Sequence, residues 1–238
     1  PITTATSEDG TNIVYGGTNA AHNGGSLKYV RVEYAGKKIL DGNSEMNGFS
    51  FYSVGSGTVL ENLVAYKGAD DGFEFYGGTV SAKNLISYGN TDDSFDWQDG
   101  WQGQANTNWY AYQTGAGNFG MEIEAKSVNN AFFPKVSNIT IRRAAGTVTE
   151  GGSSAAEYDA IQFKKEGNGE YSNIVISGFT TTNATLIRIQ DAATNTNQVL
   201  TGKIKLLNVK IADSTPLSGA GASSFSVAFP TGNFTTST

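Results

Sequence analysis

An asparagine followed by alternating apolar positions recurs along most of the 238-residue chain. The string reads Asn62-Leu63-Val64-Ala65, Asn84-Leu85-Ile86-Ser87, Asn108-Trp109-Tyr110-Ala111, Asn138-Ile139-Thr140-Ile141, Asn173-Ile174-Val175-Ile176 and Asn208-Val209-Lys210-Ile211. Tyr29-Val30-Arg31-Val32 is an earlier member with the asparagine replaced. Successive members are 33, 22, 24, 30, 35 and 35 residues apart. The shortest step is the bare repeat; the longer ones carry loops, placed after residues 36, 112, 145 and 190. A second string keeps phase with the first: Gly48-Phe49-Ser50-Phe51-Tyr52, Gly72-Phe73-Glu74-Phe75-Tyr76, Ser94-Phe95-Asp96-Trp97-Gln98 and Gly120-Met121-Glu122-Ile123-Glu124. It continues through Ile161-Gln162-Phe163 and Ile187-Arg188-Ile189. Apolar and polar residues alternate in it, the period of a strand buried on one face. Two short strands and their turns, repeated every twenty-odd residues, predict a parallel β-solenoid, because one repeat cannot bury its apolar side alone. An antiparallel sandwich does not require identical residues at identical phase.

Stacking explains the residue choices. Neighbouring rungs lie roughly 4.8 Å apart, so equivalent side chains sit above one another. Phe49, Phe73 and Phe95 then form one inward aromatic column, and Phe51, Phe75 and Trp97 another. Trp109 also falls on an inward position. The asparagines fall where the alternation skips a beat, between Leu60 and Leu63 in the first case. That places Asn62, Asn84, Asn108, Asn138, Asn173 and Asn208 at a corner, where amides bond their counterparts in the next rung as a structural ladder.

Composition removes several function classes. Without cysteine there is no disulfide framework, thiolate metal site or thiol nucleophile. His22 is the single histidine, so a multi-histidine metal site is excluded and a Ser-His-Asp triad has little room. A net charge of −6 argues against a nucleic-acid partner. No apolar run approaches the length of a membrane span. Thirty glycines against four prolines fit a strand-rich chain with many tight turns. The chain opens at Pro1 with no initiator methionine, so it reads as processed or excised material.

At Ser26-Leu-Lys-Tyr-Val-Arg-Val-Glu-Tyr-Ala-Gly36 the chain resembles a large family of secreted or cell-surface β-helix repeat proteins of Bacteroidetes. Val54-Gly-Ser-Gly-Thr58, Asp70-Asp-Gly-Phe-Glu-Phe-Tyr-Gly-Gly-Thr-Val80 and Asp92-Asp93 running into Phe95-Asp96-Trp97 and Gly100-Trp101 carry the same resemblance. It is specific over roughly residues 15–110 and weaker to about 211. The resemblance implies an all-β fold, a right-handed parallel β-helix, here of about six or seven rungs over residues 26–211. It also implies export to the bacterial outer surface or beyond, often as a lipoprotein or with a C-terminal sorting domain, and no particular activity. Residues 1–25 are expected to form a loop or partial first rung. Residues 212–238, rich in Thr, Ser and Gly, are expected to be a final rung or linker. Relatives usually carry further rungs before this point, so the first rung is expected to present strand edges for missing N-terminal rungs or a partner. Asp213-Ser214-Thr215 is similar to the short O-glycosylation signal of that phylum.

The feature that could carry chemistry is the outward column of the second strand: Ser50, Glu74, Asp96, Glu122, Gln162 and Arg188. Asp71, Asp93 and Asp159 precede its strands, with Asp70 and Asp92 beside the first two. Two unit charges about 5 Å apart cost roughly 3 kcal/mol at an effective dielectric of 20. Stacked carboxylates therefore call for a cation, proton sharing or side chains splayed into solvent. Oxygen-only ligands select calcium, with Asp71, Glu74, Asp93 and Asp96 as the metal set. The plain alternative is a solvated acidic face, with Asp70 and Asp92 serving as turn residues. Tyr76, Trp101 and Tyr110, with Asp99 and Glu122, form a candidate ligand-binding set, since flat aromatic faces beside polar groups suit sugar rings. Arg142-Arg143 reads as solvated or salt-bridging, and His22 as an exposed loop residue.

These features point to a structural, adhesive, glycan-binding or partner-binding module, calcium-stabilised on its acidic ridge. The other reading is a carbohydrate-active enzyme, a calcium-dependent polysaccharide lyase or a glycoside hydrolase acting on an acidic polysaccharide. A lyase base would come from Arg142, Arg143, Lys164 or Arg188, and a hydrolase pair from Asp93 and Asp96. The Gly-His-Gly and Arg-x-Lys elements of β-helix polygalacturonases are absent. The partners expected are therefore a polysaccharide or a surface protein.

Overall fold

The computed structural model describes residues 4–36, 46–125, 132–145, 159–180, 184, 186–213 and 229–237. Two strands near the start, β1 (Ala5–Thr6) and β2 (Val14–Tyr15), pair antiparallel. Long and short strands then alternate: β3 (Ser26–Glu33), β4 (Phe49–Tyr52), β5 (Val59–Tyr66), β6 (Phe73–Tyr76), β7 (Ala82–Tyr88), β8 (Phe95–Gln98), β9 (Asn106–Gln113) and β10 (Met121–Glu124). The alternation continues with β11 (Lys135–Arg143), β12 (Ile161–Lys164), β13 (Gly169–Ser177), β14 (Ile187–Ile189), β15 (Ile204–Ile211) and β16 (Phe234–Thr236). The short strands β4 to β14 form one six-stranded parallel sheet, and the long strands β3 to β16 an eight-stranded parallel sheet. This is a parallel β-helix.

Register follows the repeats. Phe49, Phe73 and Phe95 stand over one another, with ring centroids 4.9 and 5.6 Å apart. Val30, Leu63, Leu85, Trp109, Ile139, Ile174 and Val209 make the matching column in the long sheet. From Leu63 to Val209 that column is buried to 1 % exposure or less, so each rung completes the core of the one before. The second aromatic column, Phe51, Phe75 and Trp97, keeps its register, but its rings do not all stack on one another. Phe51 and Phe75 stack at 5.1 Å, but Phe75 then packs on Trp101 at 4.6 Å, and Trp97 turns toward Trp101 and Tyr171.

The corner asparagines share one backbone state. Their φ values run from 55° at Asn173 to 62° at Asn108, the left-handed region in which asparagine is tolerated far better than bulkier residues. One such residue inside a strand resets the alternation, which is why Leu60 and Leu63 both face inward. Each amide nitrogen donates to the carboxamide oxygen of the preceding rung at 2.8–3.1 Å, from Asn208 down to Asn62. The ladder is directional and stops at Tyr29, which holds φ 57° with 82 % of its surface exposed.

At this end of the stack Leu27, Val30 and Val32 are only partly buried, whereas their counterparts Leu60, Leu63 and Ala65 are at 3, 0 and 0 % exposure. Among the described residues nothing pairs with the outer side of β3 or β4. The N-terminal segment instead crosses the outer face of the short sheet: Tyr15 rests on Tyr52 at 4.9 Å and Tyr76 at 6.0 Å. Residues 4–25 thus form a strap with a hairpin rather than a partial rung. At the other end β16 pairs with β15, adding strand to the long sheet within residues 212–238. Of the loops, residues 37–45 and 146–158 lie outside the described residues, as do Ser214 and Thr215 of the glycosylation-like string. The loop after 190 holds one helical turn, Ala192–Thr194, continued by a π turn, Asn195–Val199. Arg143 is buried rather than solvated, donating to the Gly117 carbonyl at 2.8 Å. His22 is exposed.

Two substitutions separate the amide ladder from the backbone state. Asn108→Gly keeps the left-handed conformation and loses two amide bonds, an expected cost of about 1–2 kcal/mol. Asn108→Ala adds roughly 1 kcal/mol of steric strain to that loss. Tyr29→Asn extends the ladder by one amide and removes a bulky side chain from the strained region. It should stabilise by about 1 kcal/mol, raising Tm by roughly 2–4 °C. Thermal unfolding of the three variants checks the order.

Candidate functional site

The short sheet's outer face carries Ser50, Glu74, Asp96, Glu122, Gln162 and Arg188 in strict register. In-register pairing leaves the acidic residues no choice of neighbour. Beside them, in the turn before each strand, Asp71 Oδ1 accepts the Asp93 backbone N–H at 2.9 Å, and Asp93 Oδ1 accepts that of Phe119 at 2.6 Å. Each of these aspartates spends one oxygen tying its rung to the next. Glu74 accepts from the Tyr76 hydroxyl, the Asn47 amide and the Gln98 amide, the last at 2.9 Å.

The alternative of a solvated acidic face is not what forms. Asp71, Glu74, Asp93 and Asp96 are only 7, 4, 4 and 7 % exposed. They line a cavity of about 220 Å3, closed partly by Glu8 of the strap. Burial first, and neighbouring carboxylates second, push Asp71, Asp93 and Asp96 well above the ordinary aspartate range. Burial likewise raises Glu74 to about 7, against the lowering effect of its hydrogen bonds. Among the described residues three triads each bring carboxylate oxygens within 4.8 Å of one another: Asp70, Asp71 and Asp92; Asp71, Glu74 and Asp96; and Asp93, Asp96 and Glu122. Asp96 belongs to the last two. Its Oδ1 is fully buried and has no hydrogen-bond partner, which costs on the order of several kcal/mol if the group is charged.

The trench is electrically lopsided. At one end Lys164 pairs with Glu122 and lies 3.5 Å from Glu124, which Lys165 approaches to 2.8 Å. Although burial opposes its charge, Glu122, Asp96 and Glu124 hold the Lys164 ammonium above the usual lysine value. Toward the other end, no ammonium or guanidinium among the described residues reaches ion-pair distance of Asp71, Glu74, Asp93 or Asp96.

The four residues read as a metal set therefore line one cavity, and Glu122 of the ligand-binding set lines it with them. Tyr76 lines it as well, and the other three are placed differently. Tyr76 faces outward from its strand but is 2 % exposed, because the strap lies over it and its hydroxyl is committed to Glu74. Asp99, at φ 53° and 1 % exposure, accepts the Tyr15 hydroxyl and so anchors the strap. Trp101 is core: the left-handed Asp99 and Gly100 swing it inward, where Nε1 donates to the Val80 carbonyl at 3.0 Å. A side chain at Gly100 would strike the Phe132 ring at 2.3 Å. Tyr110 lies on the other sheet, in register with Ile86 and Thr140, remote from the acids along the rung. Asp92 accepts from the Asn118 amide of the following turn. Sequence reasoning did not place Glu8, Asn47, Gln98, Glu124 or Lys165 at the trench, nor Lys164 as its counter-ion. The register of Lys164 over Glu124, readable from the repeat, was the available signal for that pair.

A parallel β-helix with an acidic trench along its short sheet is the class that fold and site define. A family model described as a pectate-lyase-like β-helix domain matches residues 2–235, and the chain belongs to that family. No curated protein and no solved structure matches the chain.

The buried carboxyls give stability a definite pH sense. Glu74 titrates near 4.5 when unfolded and near 7 when folded, so the folded state binds a proton the unfolded chain has released. Its contribution is fully present below the unfolded value and is lost as pH rises through the folded one. Asp71, Asp93 and Asp96 act in the same direction. In chelator, Tm should fall between about pH 5 and about 8, with Glu74 contributing on the order of 3 kcal/mol. Glu74→Gln should flatten the profile over that window, as read by thermal unfolding in matched buffers.

Proposed function

We propose that the chain is a non-catalytic β-helix module of a secreted or cell-surface protein, stabilised by calcium in its acidic trench and serving a structural, glycan-binding or partner-binding role. The observation that carries the cation is Asp96, whose Oδ1 is buried and unpartnered and whose carboxylate belongs to two triads. A divalent cation supplies the charge that the fold leaves out at Asp71, Glu74 and Asp96, and oxygen-only donors suit calcium. Trench size supports the ion over a sugar: about 220 Å3 lies below the roughly 300–1,000 Å3 of pockets that enclose organic ligands. A glycan or surface protein would meet the module elsewhere. The outer face of the long sheet offers a shallow groove of about 550 Å3 lined by Tyr29, Val64, Ile86 and Tyr110.

The test is thermal unfolding and titration calorimetry of chelator-stripped protein against calcium at neutral pH. Saturable binding should raise Tm, by roughly 5–10 °C at a hundredfold excess over Kd, and Asp96→Asn should abolish the response. An unchanged Tm with no heat of binding would sink the calcium reading.

One observation favours the enzyme instead: Glu74, protonated near neutrality, has the character of a general acid. A lyase or hydrolase predicts cleavage of uronate polymers, with an ultraviolet-absorbing unsaturated product for elimination. The non-catalytic module predicts none, with or without calcium, and no difference between wild type and Glu74→Gln.

A further inference from the structure

We infer that the outer face of the long sheet binds a linear glycan carrying a carboxylate on alternate sugars, laid along the β-helix axis in the groove over Val64, Ile86 and Tyr110. The inference rests on the non-catalytic, glycan-binding reading above and is independent of calcium.

Register builds the groove. Arg31, Val64, Ile86 and Tyr110 stand over one another on β3, β5, β7 and β9. Ile86 leaves 39 % of its surface to solvent, so this outward column is an exposed apolar floor. It spans three rung intervals, roughly 14 Å. Among the described residues no carboxylate lines the groove.

The two sides differ in chemistry. Along one runs the amide ladder, with Asn62, Asn84 and Asn108 facing the groove. Asn84 donates one N–H to Asn62 and accepts one bond from Asn108. A carboxamide has a second N–H and a second lone pair, which suit the donor-acceptor character of a sugar hydroxyl. Along the other side, two residues further down each strand, Tyr66, Tyr88 and Tyr112 form a column with successive ring centroids 5.3 Å apart.

That column carries positive charge at its two ends. The Arg31 guanidinium lies over Tyr66 at 4.4 Å, with Lys67 Nζ at 5.2 Å from the same ring, and the Arg142 guanidinium lies over Tyr112 at 5.2 Å. Among the described residues no cation lies over Tyr88, the ring between them. Arg31 pairs with Glu33, whereas Lys67 and Arg142 are exposed and make no ion pair with another described residue. Contact with the rings holds each cation in place before a ligand arrives. On a chain of net charge −6, whose short sheet carries the acidic column, this is a basic and aromatic stripe on the other sheet.

The spacing selects the ligand. The two cationic stations are two rungs apart, about 10 Å, which matches the advance of one disaccharide along an extended polysaccharide. The fitting chain has an apolar ring face for the floor, hydroxyls for the amides and one carboxylate per disaccharide. A polymer with a uronate at every sugar would set each intervening carboxylate against Tyr88 and Ile86, desolvated and without a counter-charge.

The experiment is titration calorimetry of the full chain with a hyaluronan oligosaccharide, in which glucuronate alternates with N-acetylglucosamine. Polygalacturonate and cellulose oligosaccharides of matched length are the comparators, and Tm is recorded for every variant. Hyaluronan should bind saturably, more tightly than either comparator, and more weakly as salt rises. Arg142→Gln and Lys67→Gln should each weaken binding roughly three- to tenfold, and Ile86→Asp should abolish it, all at unchanged fold. Lys210→Gln, three rungs beyond Tyr110 in the same outward column, should leave affinity within twofold and so controls for a diffuse charge effect. Equal affinity for the cellulose or polygalacturonate comparator would overturn the spacing argument. Binding that these groove variants leave intact, or that Lys210→Gln weakens as much, would overturn the site while leaving a glycan-binding module. No binding of any of the three would overturn both. Shortening of the polymer, read by size-exclusion chromatography, would overturn the non-catalytic reading, while loss of binding in the groove variants would still uphold the groove.

Discussion

In-register stacking is the interaction on which everything else in this molecule depends. Strand pairing places each residue over its counterpart one rung away, so every side chain is judged by how well it tolerates its own kind. Phenylalanine over phenylalanine buries area on both sides, as at Phe49, Phe73 and Phe95. Asparagine over asparagine pairs a donor with an acceptor, provided the backbone takes the left-handed turn that points the amide along the axis. Aspartate or glutamate over its like does neither. The three columns share one geometry, and only the third is in debt to something outside the rung.

That explains how the chain could be read and where reading failed. The rungs, the inward columns, the amide ladder and the outward acidic column all lie within the repeat, so phase alone placed them. Burial of the acids was not legible, because the cover over the short sheet comes from residues 4–25, which carry no copy of either repeated string. Tyr76 shows the distinction: strand parity gives its direction correctly, but exposure depends on Tyr15, far away in sequence. Trp101 and Tyr110 part from the acids for a different reason. Proximity along the chain to acidic residues stood in for proximity in space. A corner at Asp99-Gly100 turned Trp101 into the core, and the next strand carried Tyr110 onto the other sheet.

A column of buried carboxylates can be neutralised by protons, by a fixed side-chain cation or by a free ion, and the trench holds evidence bearing on all three. Protonation is favoured because burial first, and neighbouring carboxylates second, raise these carboxyls, so the fold favours mild acid. A fixed cation is Lys164, seated against Glu122. Its charge answers the Glu122 end of the column. Lys164 stands at one end because β12 carries it there in register with Glu124; at the matching point of β6 stands Tyr76, which donates a hydrogen bond to Glu74 but brings no charge. Tyrosine in place of lysine at the equivalent position leaves Glu74 with a hydrogen bond and, among the described residues, no side-chain cation at ion-pair distance. Glu8 of the strap meets the trench at that same end, held beside Glu74 by the Gln98 amide, so the cover over the column and the environment of its acids are set in one place.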